Sequence, residues 1–522
     1  MGSKRIACFS KEEVIERINE HFHQILRENL YEMDLNREEV SRLLAQKEEL
    51  RMYLKRAGTG DKVAKDRLIL LIQESLLKLY GMDEEKIAST YFWVQQEKDS
   101  SIQFEIMLYL MEKEVGMQAF EVLVQRYHLI ENSGHRPPEI SADAVKRAYE
   151  RERRNLSFPE KLEILARNIY AFYKGLGVID TLRDMELDGV SGGVSGEEGN
   201  QKSVWVFYKG RSVHLSFLDF ETEAEVERVA RNCCRFRQPG ELTRTKGYLV
   251  HEMADHARVV VVRPDFAERW MFFIRKLDVT RKKRIDELYR QPGAEHVIQL
   301  LRFLVKGCQV FGITGMQGCG KTTLLMTLVA DIAPEYPIRV LEQAFELHLR
   351  EAYPEHNIAS FRETIQVDGQ EGLEVQKKTD GAVTIIGEIV APKVAAWMVE
   401  SAQSGSLFTL FTHHARTTEG LLYSLRNSLM REGNFQSEEL ALEQVIHVVA
   451  FDVHLHMDRE GNRYIERISE IIPEKSGYVV NELIRYENGE YRKVNSLSDR
   501  RKAEMAKWMT VSERKAFFES DL

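Results

Sequence analysis

The segment that most constrains this chain is Gly315-Met316-Gln317-Gly318-Cys319-Gly320-Lys321-Thr322, which fits GxxxxGK[ST]. A short apolar run, Val310-Phe311-Gly312-Ile313-Thr314, precedes it and reads as a strand. The run that follows, Thr323-Leu324-Leu325-Met326-Thr327-Leu328-Val329, reads as a helix. Strand, glycine loop and helix in that order are the context in which this motif cradles phosphate. The glycines let consecutive backbone N–H groups point at phosphate oxygens, where a Cβ would obstruct. The helix N-terminus adds partial positive charge, Lys321 is expected to reach the β- and γ-phosphates, and Thr322 offers a hydroxyl to Mg2+. The expected binding set is Gly315, Gly318, Cys319, Gly320, Lys321, Thr322 and Thr323. Cys319, inside the loop, is expected to have its thiol pKa lowered by the helix end.

A phosphate loop needs a carboxylate at the end of a neighbouring strand. The β-branched run Val383-Thr384-Ile385-Ile386-Gly387-Glu388 supplies one, and Glu388 is expected to hold Mg2+-bound water or orient the attacking water. Arg339-Val340-Leu341 ends in a second acid, Glu342. A further strand, Leu407–Phe411, ends in Thr412-His413-His414; adjacent residues on a strand face opposite sides, so one histidine rather than two is expected toward the γ-phosphate. The expected metal-binding residues are Thr322 and Glu388.

The rest of the chain divides by pattern. Its 522 residues allow two to four domains. Residues 1–150 read as helical, with Val14, Ile18, Phe22, Ile25, Leu30 and Met33 at helical spacing and Gly58-Thr59-Gly60 as a stop. Residues 151–280 read as a small α+β domain: a helix over Pro159–Leu176, a glycine-rich loop over Asp188–Ser203, four strand-like runs and a helix near Thr222–Phe236. A basic bridge, Thr280–Arg284, leads to residues 281–475, where strands alternate with helices as in a parallel sheet. Val445–His456 and Arg463–Ile472, around a glycine turn, read as a terminal hairpin, and residues 476–522 as a charged helical tail.

Composition narrows the setting. The net charge of −9 does not favour wholesale binding to nucleic acid or anionic lipid. No apolar run approaches the ~20 residues of a membrane span. The charged start shows no secretory signal, and Ile6 stands where a myristoylation signal wants Ser or Thr. Five cysteines without a CxxC pattern argue against a disulfide framework or zinc cage and for a reducing cytoplasm.

Over roughly residues 155–475 the motifs together resemble the ATPases of type II and type IV secretion and pilus assembly, most closely the Flp/Tad pilus assembly branch. Leu341-Glu342-Gln343-Ala344-Phe345-Glu346-Leu347 is similar to that family's acidic box, Ile385-Ile386-Gly387-Glu388-Ile389 to its Walker B strand, and Phe411-Thr412-His413-His414-Ala415 to its histidine box. Asp255-His256-Ala257-Arg258-Val259 and Ile274-Arg275-Lys276 resemble the segments that carry two arginines of its N-terminal domain. The chain departs from the family pattern at Gln343, Val390 and Ser406, and between Asp380 and Glu388 it is longer.

The resemblance implies a RecA-like P-loop ATPase domain in an α/β fold, preceded by a small α+β (PAS-like) domain and the helical region. It implies ATP and Mg2+ as ligands. The catalytic set is then Lys321, Glu388, Glu342, His414, Arg258 and Arg275, with His414 sensing the γ-phosphate and the two arginines closing on the triphosphate. It further implies a homohexameric ring that powers pilus assembly or secretion through an inner-membrane platform protein, cytoplasmic and peripheral to the membrane. Two other readings stay open: a RecA-like nucleic-acid translocase, disfavoured by the acidic balance and the lack of a clear set of single-strand contacts, and a nucleotide-binding scaffold with little turnover.

Overall fold

The computed structural model describes residues 10–28, 37–131, 137–195, 203–237, 242–243, 246–276, 284–342, 345–362, 367, 369–433, 435, 437–458, 460–475, 477–520 and 522. Cys8, Leu30, Met33, Gln343, the bridge at 280–283 and part of the glycine-rich segment lie outside them. The chain forms two compact units, Met1–Leu277 and Asp278–Leu522. The fold is mixed α/β, with a helical N-terminal region.

In the first unit the helices Lys11–Arg27 and Phe158–Tyr173 open with capping boxes, Ser10 with Glu13 and Ser157 with Glu160. Each satisfies backbone donors that a helix start leaves unpaired. Strands β1 (Glu139–Ile140), β2 (Gly189–Gly192), β3 (Trp205–Tyr208), β4 (Arg211–Leu215), β5 (Tyr248–Glu252), β6 (Arg258–Val262) and β7 (Met271–Arg275) form a sheet in the order β1-β4-β3-β2-β7-β6-β5. Only the β1–β4 pair among these is parallel.

Position 150 is not a structural boundary. One continuous core runs from Val14 through Leu108 and Ile169 to Ile274, so helices and sheet bury the same apolar surface. Strand β1, from the nominally helical region, pairs with β4 because Pro137-Pro138 holds the chain extended before it. Polar contacts reinforce the union. Lys65, on the helix Lys62–Tyr80, pairs with Asp180 at 2.5 Å and Asp184 at 2.6 Å. The buried Arg183 joins Asp184 at 3.1 Å and also pairs with Asp255. The stop at Gly58-Thr59-Gly60 docks into this region: Gly58 N–H donates to the Tyr170 hydroxyl at 3.1 Å, and Ala254 N–H to Thr59 O at 2.8 Å.

The glycine-rich segment is a loop only in part. Its start is β2, central in the sheet between β3 and β7. Small residues allow close approach there: a Cβ at Gly189 would lie 2.5 Å from Ile274 O, and one at Gly192 2.5 Å from the Phe272 ring.

The second unit is built on β8 (Phe311–Gly315), β9 (Ile338–Glu342), β10 (Ile358–Arg362), β11 (Val383–Ile386), β12 (Phe408–His413), β13 (Phe451–Met457), β14 (Arg463–Glu474), β15 (Gly477–Glu487) and β16 (Glu490–Lys493). The order is β10-β9-β11-β12-β8-β13-β14-β15-β16, parallel from β10 to β13 and antiparallel beyond. Helices Lys321–Leu328, Gly369–Lys377 and Pro392–Ser404 lie on crossovers between parallel strands.

Three expectations change here. Val445–Val448 belongs to the helix Glu438–Val448, because Ser437 caps it by accepting from Leu440 N–H and two acids occupy its first turn. The hairpin β13–β14 forms but is not terminal: residues 477–493 add β15 and β16, so a cut at 475 would split the β14–β15 pair. Among the described residues of the 476–522 segment, helix is confined to Asp499–Met505 and Val511–Glu519. These helices pack on Ala294–Lys306, with the Phe303 and Phe517 rings 5.0 Å apart and Lys306 paired with Glu513 at 2.8 Å.

Candidate functional site

Strand β8 is buried along its whole length, flanked by β12 and β13, and delivers the glycine loop at the carboxyl end of the parallel sheet. Gly315 leaves the strand at φ 134°, and a Cβ there would meet Leu455 O at 2.3 Å. Only glycine fits. Gly320, at φ 99°, is the N-cap of the helix Lys321–Leu328. On the outer side of the loop there is room: a Cβ at Gly318 would find Met457 Cε as its nearest neighbour at 3.9 Å, and one at Gly320 would find Arg463 Cδ at 3.7 Å. This open space beside the start of the helix fits a phosphate group.

Lys321 is buried and folded onto its own loop. Its Nζ donates to Gly315 O at 2.9 Å and Met316 O at 3.0 Å, and to His414 Nδ1 at 3.2 Å. That bond makes Nδ1 an acceptor, so His414 carries its proton on Nε2, where it pairs with Glu388 Oε1. Three residues from three separate strand ends thus meet in one line: Lys321, His414 and Glu388. Glu388 and His414 are both substantially exposed, so their pair exchanges easily with a ligand. Thr322 and Thr323 follow Lys321 in the first turn, half-buried.

Glu388 is held by its neighbours' backbone. Thr412 Oγ1 donates to Gly387 O at 2.6 Å, and Ile389 N–H donates to Thr412 O at 3.0 Å. These bonds lace the end of β12 to the segment after β11. Glu342, at the end of β9, is buried; its Oε1 accepts from Glu346 N–H at 2.9 Å and Leu347 N–H at 2.8 Å. It shapes the turn after β9 and lies beside Gly387, where a Cβ would sit 3.2 Å from Glu342 Cγ.

The paired histidines separate as strand alternation requires. His413 Nδ1 accepts from Ala415 N–H at 3.0 Å and Nε2 faces Ser424 Oγ at 3.1 Å. Burial pushes its pKa down to about 4, helped by the charge of Lys321, so it stays neutral. Cys319 reverses its expectation. It is fully buried with its sulfur beneath Gly315, 2.9 Å from where a Cβ would stand, and burial pushes its thiol pKa up against the lowering effect of Lys321. Desolvation outweighs the helix end. Val390 is exposed, and Ser406 Oγ lies 3.0 Å from Thr409 Oγ1. Gln343 lies outside the described residues.

In the first unit Arg258 and Arg275 stand opposite each other on β6 and β7, sharing one face of the sheet. The Arg275 guanidinium lies 5.9 Å from the Phe207 ring centroid.

Sequence reasoning passed over two features of β13 and β14. Arg463, the first residue of β14, stands opposite Met457 and near Gly320, close enough for its charge to act on Cys319. Asp452, fully buried on β13, accepts hydrogen bonds from Thr314 and Thr418. A lone acid inside the apolar run Phe451-Asp452-Val453 was the available signal.

No curated protein matches the chain. Among solved structures, the VirB11 ATPase of the Brucella suis type IV secretion system, in complex with sulphate, is 19% identical, with 55% of this chain and 89% of that one covered at a TM-score of 0.31. The Legionella pneumophila ATPase DotB is 12% identical, with 64% and 82% covered at a TM-score of 0.39. The pilus retraction motor PilT with bound ADP is 13% identical, with 64% and 86% covered at a TM-score of 0.39. Overall superposition at this level carries no functional statement. The sequence match is independent of it: residues 270–455, which contain the glycine loop, Glu342, Glu388 and His414, match the family described as Type II/IV secretion system protein.

Proposed function

We propose that the second unit binds Mg2+-ATP at the glycine loop and hydrolyses it, and that the chain is the motor of a pilus-assembly or secretion machine of the Flp/Tad kind. The observation that carries this reading is the convergence of Lys321, His414 and Glu388 at the mouth of the loop. Phosphoryl transfer to water is mostly positioning and charge stabilisation. The loop amides and Lys321 hold the phosphates. Thr322 and Glu388 hold Mg2+, which when bound neutralises phosphate charge. Glu388 orients the attacking water, with Glu342 fixing the neighbouring turn.

Lys321 must exchange His414 and the loop carbonyls for phosphate oxygens, and His414 thereby registers the γ-phosphate. Arg258 and Arg275 neutralise developing charge, a role worth on the order of 10³-fold. The motor works as a homohexameric ring in the cytoplasm, reaching the membrane through an inner-membrane platform protein. Among the described residues no helix is long and apolar enough to cross a membrane.

ATP hydrolysis and assembly size of wild type, Lys321→Ala and Glu388→Gln test this. Wild type should turn over ATP, Lys321→Ala should lose binding, and Glu388→Gln should bind without turning over. Wild-type hydrolysis no faster than Lys321→Ala overturns the motor and leaves a scaffold; strong stimulation by DNA or RNA favours a translocase.

A further inference from the structure

Beneath the glycine loop lies a buried carboxylate that the reading above does not use. Asp452 stands opposite Gly312 of β8 and Ser469 of β14 and is fully buried. Its Oδ1 accepts from Thr314 Oγ1 at 2.6 Å and its Oδ2 from Thr418 Oγ1 at 2.7 Å. Thr314 is the residue before Gly315, and Thr418 opens the helix Thr418–Arg431, four residues after His414. The two oxygens of one side chain therefore tie the strand that delivers the phosphate loop to the segment that follows the histidine.

Thr314 Oγ1 also lies 2.8 Å from His454 Nδ1, and the other ring nitrogen, Nε2, faces Glu466 Oε2 at 3.6 Å. His454 is buried and neutral, its pKa pushed down to about 3 by burial and then by Arg467, His456 and Lys321. Burial raises the Asp452 pKa, and the two hydroxyl donors offset only part of that cost. A carboxylate is needed to accept at both ends; an amide oxygen would leave one threonine facing an N–H2 donor.

We propose that Asp452 is a positioning residue: it clamps the loop after β12 to the phosphate-loop strand, so that loss of the Lys321–His414 contact is transmitted to the start of the helix Thr418–Arg431. This rests on the nucleotide-binding reading above. Without the clamp, the loop would relax locally and His414 would move without moving the helix.

The test uses the full chain, ATP hydrolysis, binding of a fluorescent ATP analogue, and hydrogen exchange over residues 412–420. Thr418→Val should lower kcat about tenfold while changing the analogue's Kd less than about threefold, and Thr418→Ser should recover most of the loss. The double variant His414→Ala/Thr418→Val should be no slower than His414→Ala alone, because both act through one element. The analogue should slow exchange over 412–420 in wild type but not in Thr418→Val. Additive losses, or an unchanged exchange response in Thr418→Val, overturn the clamp. Wild type that binds the analogue without hydrolysing ATP overturns the motor reading alone, since the exchange measurement still decides the clamp. Wild type that binds no nucleotide overturns both.

Discussion

Lys321 donates to His414 Nδ1 at 3.2 Å, so the lysine of the phosphate loop and the histidine after β12 are in direct contact. The lysine also donates to Gly315 O and Met316 O, which holds the ammonium at the loop. The histidine contact links it to another strand's end. His414→Ala should therefore leave the loop geometry intact and remove the report of its occupancy. ADP affinity should change less than about threefold, and ATP turnover should fall about 10- to 100-fold. Fluorescent ADP titration alongside steady-state hydrolysis checks both.

Cys319 should be inert despite its place in the motif. Its sulfur is buried below Gly315, and the thiol pKa is raised, so little thiolate exists at neutral pH. Site-resolved mass spectrometry should find Cys319 alkylated far more slowly in the folded protein than in urea. Equal rates would place the sulfur in the cradle.

The backbone of the glycine loop was legible because its positive φ angles demand glycine at Gly315 and Gly320, with Lys321 following at fixed spacing. Glu388 was legible from an apolar strand that ends in an acid. The direction of the Cys319 side chain was not, since a loop's outline says nothing about which side chain turns inward. Nor was the fate of residues 477–493. Their charges read as a solvated helix, whereas pairing of β15 with β14 uses alternating exposure on outer strands of the sheet. Asp452 escaped because its two hydroxyl donors lie 138 and 34 residues away.

The union of the first unit's helices with its sheet should depend on Lys65. It bridges Asp180 and Asp184 in a largely buried cluster; Lys65→Ala would strip Asp180 of this ion pair and leave Asp184 with Arg183 alone. The loss should be about 3 kcal/mol, read as a lower urea midpoint for the first unit. Burial works to raise the Asp184 pKa, but Lys65 and Arg183 outweigh it and hold the carboxyl well below the usual range. A depressed folded pKa gives stability that is present above the unfolded value near 4 and lost as pH falls toward the folded one. Wild type should lose stability below about pH 4, and Lys65→Ala should lose less over the same interval.

Glu105 carries the opposite sign. It accepts from Asn168 Nδ2 at 2.9 Å, and burial pushes its carboxyl up to about 7, aided by the charge of Asp180 and opposed by the Asn168 bond, Arg167 and Lys65. Between about pH 4.5 and 7 the unfolded chain releases this proton while the folded chain retains it, so this group makes stability fall as pH rises. Above about pH 7 both states are ionised and the loss levels off. Glu105→Gln keeps the shape and an acceptor without the charge. It should gain stability relative to wild type at pH 8 but not at pH 4.5, by about 2 kcal/mol. Hydrogen exchange of the helix Ser100–Val115 in graded urea at the two pH values measures the difference. Equal gains at both would show that packing, not ionisation, separates the two side chains.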